Sequence, residues 1–186
     1  MGDFGPEAYR FIDFLAHTGQ TIWQVLPLGT TSTGNSPYNS YSAFAGNPYL
    51  ISPDLLLKKK LITPEEAKQA ELPGTTKAEY SKSYKSKNIL FKKACTRFYN
   101  SHPEKMDELK SFSEQNSFWL KDYTLFMVCL QNGGGKQWNE WSEGLALRDD
   151  KQLNRFQKEH SEEIKYQTWL QFEFYNQWVN LKTYAN

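Results

Sequence analysis

A single segment of this 186-residue chain reads as a buried β-strand, and that limits what the chain can fold into. Ile22-Trp23-Gln24-Val25-Leu26 is almost continuously apolar, the pattern of a strand covered on both faces. A well-punctuated helix leads into it. Pro6 suits the first helical position, Glu7 complements the positive end of the helix dipole, and Gly19 fits the stop. Ala8, Phe11, Ile12, Leu15 and Ala16 recur at helical spacing and give one apolar face. A helix feeding a buried strand is half of a parallel α/β unit. Standing alone, the strand would leave both edges open, a liability for an independent domain.

The rest of the chain has a helical character. Ser52-Pro53 predicts a short helix through Leu57, and Thr63-Pro64-Glu65-Glu66 is a capping box with proline at the first position. Pro73-Gly74 is expected to end that helix. Helical patterns follow over about 86–100, 104–115 and 117–131, the last closed by Gly133-Gly134-Gly135. One long helix is expected over about 149–184, bearing Leu153, Phe156, Ile164, Trp169, Leu170, Trp178 and Leu181. No second strand is convincing after residue 52, and no internal repeat is evident.

Between the strand and these helices runs a long polar and aromatic loop, Asn35-Ser36-Pro37-Tyr38-Asn39-Ser40-Tyr41-Ser42-Ala43-Phe44-Ala45-Gly46-Asn47-Pro48. Loops of that length are usually functional or disordered. Tyr38, Tyr41 and Phe44 make this one too aromatic for disorder. A strand that ends in such a loop is where barrel enzymes place substrate-binding groups.

Composition narrows the partners. Lys+Arg 22 against Asp+Glu 21 gives a net charge of +1, which offers no electrostatic case for nucleic acid or a charged membrane surface. No apolar stretch approaches the ~20 residues needed to span a bilayer. Met1-Gly2-Asp3-Phe4 lacks the basic start and apolar core of a signal peptide. Cys95 and Cys129 have no metal-ligand spacing and are expected to be reduced and buried; His17, His102 and His160 stand apart. No metal and no cofactor is expected. Aromatic residues are the outlier, at 16% with Trp 6, Tyr 11 and Phe 12. Their faces can stack on sugar rings, although Trp169, Phe172 and Trp178, on helical spacing, and Trp23 read better as core.

The Trp23–Gly29 strand and the Asn35–Pro48 loop resemble those of the 4-alpha-glucanotransferases of the amylomaltase (disproportionating enzyme) family. The likeness extends upstream to Gly2-Asp3-Phe4-Gly5. Downstream it continues at Asp122-Tyr123, Leu125-Phe126, Trp138 and Trp141, and in the closing run Gln171-Phe172-Glu173-Phe174, Gln177-Trp178 and Leu181-Lys182. It is strongest over 2–53 and 117–186, while about 58–116 matches only in pattern.

The resemblance implies an α/β fold, a partial (β/α)8 barrel segment with a mainly helical insertion subdomain. Residues 1–56 would start the barrel and carry the substrate-binding loop 27–48. Residues 57–148 would be the helical insertion, and 149–186 a long helix leading back to the barrel. It also implies a cytoplasmic enzyme that transfers alpha-1,4-glucan segments between maltooligosaccharides with retention. Such chemistry needs two carboxyl groups about 5–5.5 Å apart. In family members these, and a third carboxylate that grips the sugar, lie on later strands whose motifs are absent here, so no catalytic residue is assigned.

Asp3, Glu7, Asp13, Asp54, Glu65, Glu66, Asp149, Asp150, Glu162 and Glu163 read as caps and solvated helix faces, with Asp3 open between capping a helix and shaping the cleft. The resemblance implies donor-side sugar contacts at Ser36 and Tyr38, with Ser40 a weaker candidate; hydroxyls can bond sugar hydroxyls and the tyrosine ring can stack. Some members carry an aromatic residue where this chain has Thr33, and Tyr84 matches a second aromatic of that groove in a poorly matching neighbourhood, which argues against a second glucan site. The expected partners are an alpha-1,4-glucan and the missing barrel half, in the same or another chain. Two other readings stand beside this one: a non-catalytic glucan-binding module, and a helical assembly domain completed by a second chain.

Overall fold

Residues 2–72 and 76–186 are described by a computed structural model. Its organising element is the last helix, α9 (Ser161–Ala185). Along its middle, Gln167, Trp169, Leu170, Gln171, Phe172, Glu173, Phe174 and Gln177 are all buried, so the helix is enclosed rather than laid on a surface by one stripe. Trp169 and Phe172 are core residues, as their spacing predicts, and Trp178 packs half-buried against the same core.

Among the described residues eight shorter helices surround or flank it in chain order: α1 (Pro6–His17), α2 (Pro53–Lys58), α3 (Pro64–Ala70), α4 (Tyr80–Ser101), α5 (Met106–Gln115), α6 (Ser117–Asn132), α7 (Glu143–Ala146) and α8 (Asp150–Glu159). α1, α4, α5, α6 and α8 all touch α9. Phe98 of α4 lies 5.8 Å from Phe172 and 6.3 Å from Trp169, ring centre to ring centre. Phe4 meets Phe174 edge-on at 5.2 Å. Ile51, Leu56, Leu61, Leu90 and Phe91 complete the same cluster.

Local signals set several boundaries. α1 starts at Pro6, α2 at Pro53, and α3 carries the expected capping box: Glu66 N–H donates to Thr63 Oγ1 at 3.2 Å and Thr63 N–H to Glu66 Oε2 at 2.9 Å. The stop expected at Pro73-Gly74 lies outside the described residues. α4 begins at Tyr80, earlier than the pattern from 86 indicates, and α6 ends before the three glycines. The single helix expected over 149–184 is two. α8 ends at Glu159, and α9 restarts after His160, whose φ −115° and ψ 29° break the helical ladder.

The expected buried strand is corrected. Ile22–Leu26 forms no strand, and Ile22 is 84% and Leu26 58% exposed. Trp23 is exposed as well, its ring edge-on to Phe11 at 5.3 Å, and is not a core tryptophan. A strand exists only through a neighbour, and among the described residues none offers its backbone to this segment. Among the described residues the sole β-bridge joins Gly29 to Gly46, so what is described is mainly helical, without the sheet of an α/β fold.

Candidate functional site

The loop after Leu26 closes on itself. Asn47 N–H donates to Leu28 O at 2.8 Å and Thr30 N–H to Ala45 O at 3.2 Å, either side of the Gly29–Gly46 bridge. Residues 30–45 therefore form a loop with a pinched neck. Gln171 of α9 fastens that neck, its side-chain amide accepting from Gly46 N–H at 2.8 Å and donating to Gly46 O at 3.0 Å. Glycine is required there because a Cβ would stand 2.1 Å from the Phe174 ring. Tyr175 adds a third tie, its hydroxyl donating to Phe44 O at 2.5 Å.

Inside the loop the chain folds back sharply. Ser32 N–H donates to Asn39 O at 2.9 Å, and Asn39 N–H to Ser36 O at 3.2 Å. Gly34 and Asn35 both adopt left-handed backbone, with φ of 85° and 56°. Across this turn Tyr84 of α4 donates its hydroxyl to Asn35 Oδ1 at 2.7 Å while stacking on Tyr49, rings 3.8 Å apart.

Ser36 and Tyr38 come together on this turn, where Ser36 Oγ accepts from Tyr38 N–H at 3.3 Å. Tyr38 is 76% exposed, and its ring meets no other aromatic ring among the described residues. Ser40 does not join them. Its hydroxyl donates to Ser42 O at 2.8 Å and lies 3.2 Å from Thr30 Oγ1, so it braces the loop base. The comparison drawn at Thr33 rests on a side chain outside those described. The geometry adds Phe118 and Phe126 of α6, unmarked as loop neighbours by the sequence: Phe44 meets Phe118 at 5.1 Å and Tyr41 meets Phe126 at 5.7 Å. An aromatic face thus continues from the loop onto α6.

Asp3 has a structural role. Its Oδ1 accepts from Gly5 N–H at 3.0 Å and its Oδ2 pairs with Lys87 Nζ at 3.0 Å, while Gly5, without a side-chain bond, holds the cap position of α1. Lys87 also donates to Tyr49 O at 2.8 Å and Ile51 O at 3.1 Å. Burial draws its pKa below the ordinary lysine value, and the nearby Asp3 carboxylate opposes that. Glu173, the most buried carboxylate, is paired with Lys59 Nζ at 2.8 and 2.9 Å and receives a bond from Gln177 Nε2 at 2.7 Å. That is an ion pair whose carboxylate is buried. Among the described residues no three His, Cys, Asp or Glu side chains converge as a metal site. Nor is any helix there long and apolar enough to cross a membrane.

What this arrangement can do is present hydroxyls and aromatic faces on a fixed loop. The family model described as 4-alpha-glucanotransferase matches residues 1–186. The 4-alpha-glucanotransferase of Clostridium butyricum is 38% identical over all of this chain, which covers 38% of that protein. The Aquifex aeolicus 4-alpha-glucanotransferase is 40% identical, again over the whole chain and 37% of the relative. Among solved structures, the amylomaltase from Streptococcus agalactiae in complex with acarbose matches with a TM-score of 0.94 at 36% identity, over 100% of this chain and 38% of that one. The chain thus spans well under half the length of these relatives.

Proposed function

The chain belongs to the 4-alpha-glucanotransferase family, and from that premise we propose that it is the donor-side, substrate-positioning part of a retaining transglycosidase. The whole enzyme would move alpha-1,4-glucan segments between maltooligosaccharides by double displacement, through a glycosyl-enzyme intermediate on a carboxylate. Ser36 would bond sugar hydroxyls and Tyr38 would stack on a ring face. Ser40 would act indirectly, by holding the loop base through Thr30 and Ser42. The observation that carries the reading is the Ser36–Tyr38 turn: a rigidly necked loop that offers an uncovered tyrosine ring.

On this reading residues 1–56 open a (β/α)8 barrel, 57–148 form a helical insertion and 149–186 lead back to it. The exposed apolar segment Ile22–Leu26 supports that division, because it has the composition of a barrel strand and no backbone neighbour among the described residues. The remaining strands and the reacting carboxylates would come from further sequence, in the same or another chain. The enzyme would be cytoplasmic, needing neither metal nor cofactor.

The test is activity with and without that complement. The 186-residue chain incubated with maltotriose should release no glucose and form no longer oligosaccharides. A polypeptide extended to the length of the relatives should do both. Transfer by the short chain, or inactivity of a folded full-length protein, would reject the proposal.

A further inference from the structure

We propose that Tyr84 is a positioning residue for the Ser36–Tyr38 loop, fixing Asn35 through its hydroxyl while its ring is braced on Tyr49. The inference rests on the glucan-contact reading of that loop for its functional meaning, but its structural content stands on its own geometry.

Asn35 directly precedes Ser36 and holds a left-handed backbone, φ 56°, immediately after Gly34 at 85°. Glycine takes that region freely and asparagine better than most residues, but Asn35 still carries a steric cost there that an external bond can offset. The only side-chain bond to Asn35 among those described is the one from Tyr84, at a short 2.7 Å. Orientation of the Ser36 hydroxyl and the Tyr38 ring follows from the dihedrals at Asn35, so whatever fixes Asn35 aims both.

Tyr84 can do this because it is itself immobilised. Its ring lies 3.8 Å from that of Tyr49 at an interplanar angle of 19°. Tyr49 is held at both backbone ends: its N–H donates to Asn47 Oδ1 at 3.0 Å and its carbonyl accepts from Lys87 Nζ at 2.8 Å. Tyr84 and Lys87 stand three apart on α4 and so share a face. One helix face therefore grips the loop exit at Tyr49 and reaches back to its far turn at Asn35. With one ring face occupied by Tyr49, Tyr84 serves as a brace.

The experiment uses the 186-residue chain, isotope-labelled, as parent, Tyr84→Phe, Asn35→Gly and the double variant. Phenylalanine keeps the stack and deletes the hydroxyl. Glycine keeps the left-handed backbone and deletes the acceptor. Backbone 15N relaxation at residues 35–40 should report faster, larger motion in each single variant, with residues 80–90 unchanged. The double variant should be no worse than either single one, because both remove the same bond. Maltotriose affinity, followed by amide shifts, should weaken by about threefold to tenfold in each, the weight of one hydrogen bond. Unaltered relaxation at 35–40 in Tyr84→Phe overturns the assignment, as do additive effects, or a disturbance of α4 in Tyr84→Phe that Asn35→Gly does not share. A parent chain that shows no maltotriose shifts rejects the glucan reading of the loop, while the relaxation data still decide the role of Tyr84.

Discussion

Gln171 pairs with both backbone groups of Gly46, accepting at 2.8 Å and donating at 3.0 Å, as the backbone of a neighbouring strand would. A helix side chain thus supplies the rung that seats the loop. Gln171→Leu leaves a buried N–H and a buried carbonyl unpaired, and should lower stability by about 3 kcal/mol. The shift of the urea midpoint measures it, at constant slope.

Gly46→Ala tests the contact beneath that rung. An added Cβ falls within 2.1–2.3 Å of three Phe174 ring atoms, and the ring is buried against Phe4. The expected loss is about 2–3 kcal/mol, the usual cost of overpacking a filled core. Combining it with Phe174→Leu should recover part of that loss, making the pair non-additive in urea unfolding.

Acid should release α3 from α4. Glu66 bonds Arg97 at 3.0 and 3.3 Å, accepts from Thr63 N–H and lies 3.6 Å from Lys93. The Arg97 bonds foremost hold its carboxyl below the ordinary 4.5. A depressed carboxylate contributes stability that is present above its unfolded pKa and is lost as pH falls through the folded value. Thermal midpoints of the parent should therefore drop more steeply below pH 4.5 than those of Glu66→Gln. Parallel curves would contradict the coupling.

The two thiols should be inert in the folded chain. Burial pushes Cys95 up to about 12, reinforced by Glu162, and Cys129 up to about 11. The thiolate is the reactive form, so a thiol reagent at pH 8 should label neither at an appreciable rate until denaturant is added, and then both. Rapid labelling of the native chain would show that one is accessible.

Tyr38→Ala should leave the unfolding midpoint within about 0.5 kcal/mol of the parent, as expected for an exposed side chain away from packing. If the ring stacks on glucan, maltooligosaccharide affinity should nevertheless fall about tenfold, equivalent to ~1.4 kcal/mol. An unchanged titration would remove Tyr38 from the site.

Features fixed by neighbours in the chain were legible in the sequence. Pro6, Pro53 and the Thr63–Glu66 box mark helix starts by local chemistry, and the structure places starts there. The absence of a strand at Ile22–Leu26 was not legible, because a strand is a relation between segments and composition names only one party. The break at His160 was hidden because apolar periodicity continues across it from Phe156 to Ile164, and the change lies in one residue's backbone dihedrals. Nothing local marks what Gln171, Gln177 and Tyr175 bond to. Their partners, Gly46, Ser52 and Phe44, are 125, 125 and 131 positions away, beyond any local pattern. The partners of Ser40 were hidden for a related reason: a loop hydroxyl reads the same in sequence whether it faces solvent or braces its own neck, as this one does through Thr30 and Ser42.

A neck held at both ends makes the loop an interchangeable cassette. Because Leu28 and Asn47 are already joined, lengthening or shortening the chain between them changes only a small closed circuit, and closure entropy grows slowly with length. Residues 31–44 can accumulate changes in reach and polarity wherever they do not touch the helices, since Asn35, Tyr41 and Phe44 carry the contacts to Tyr84, Phe126, Phe118 and Tyr175 described above.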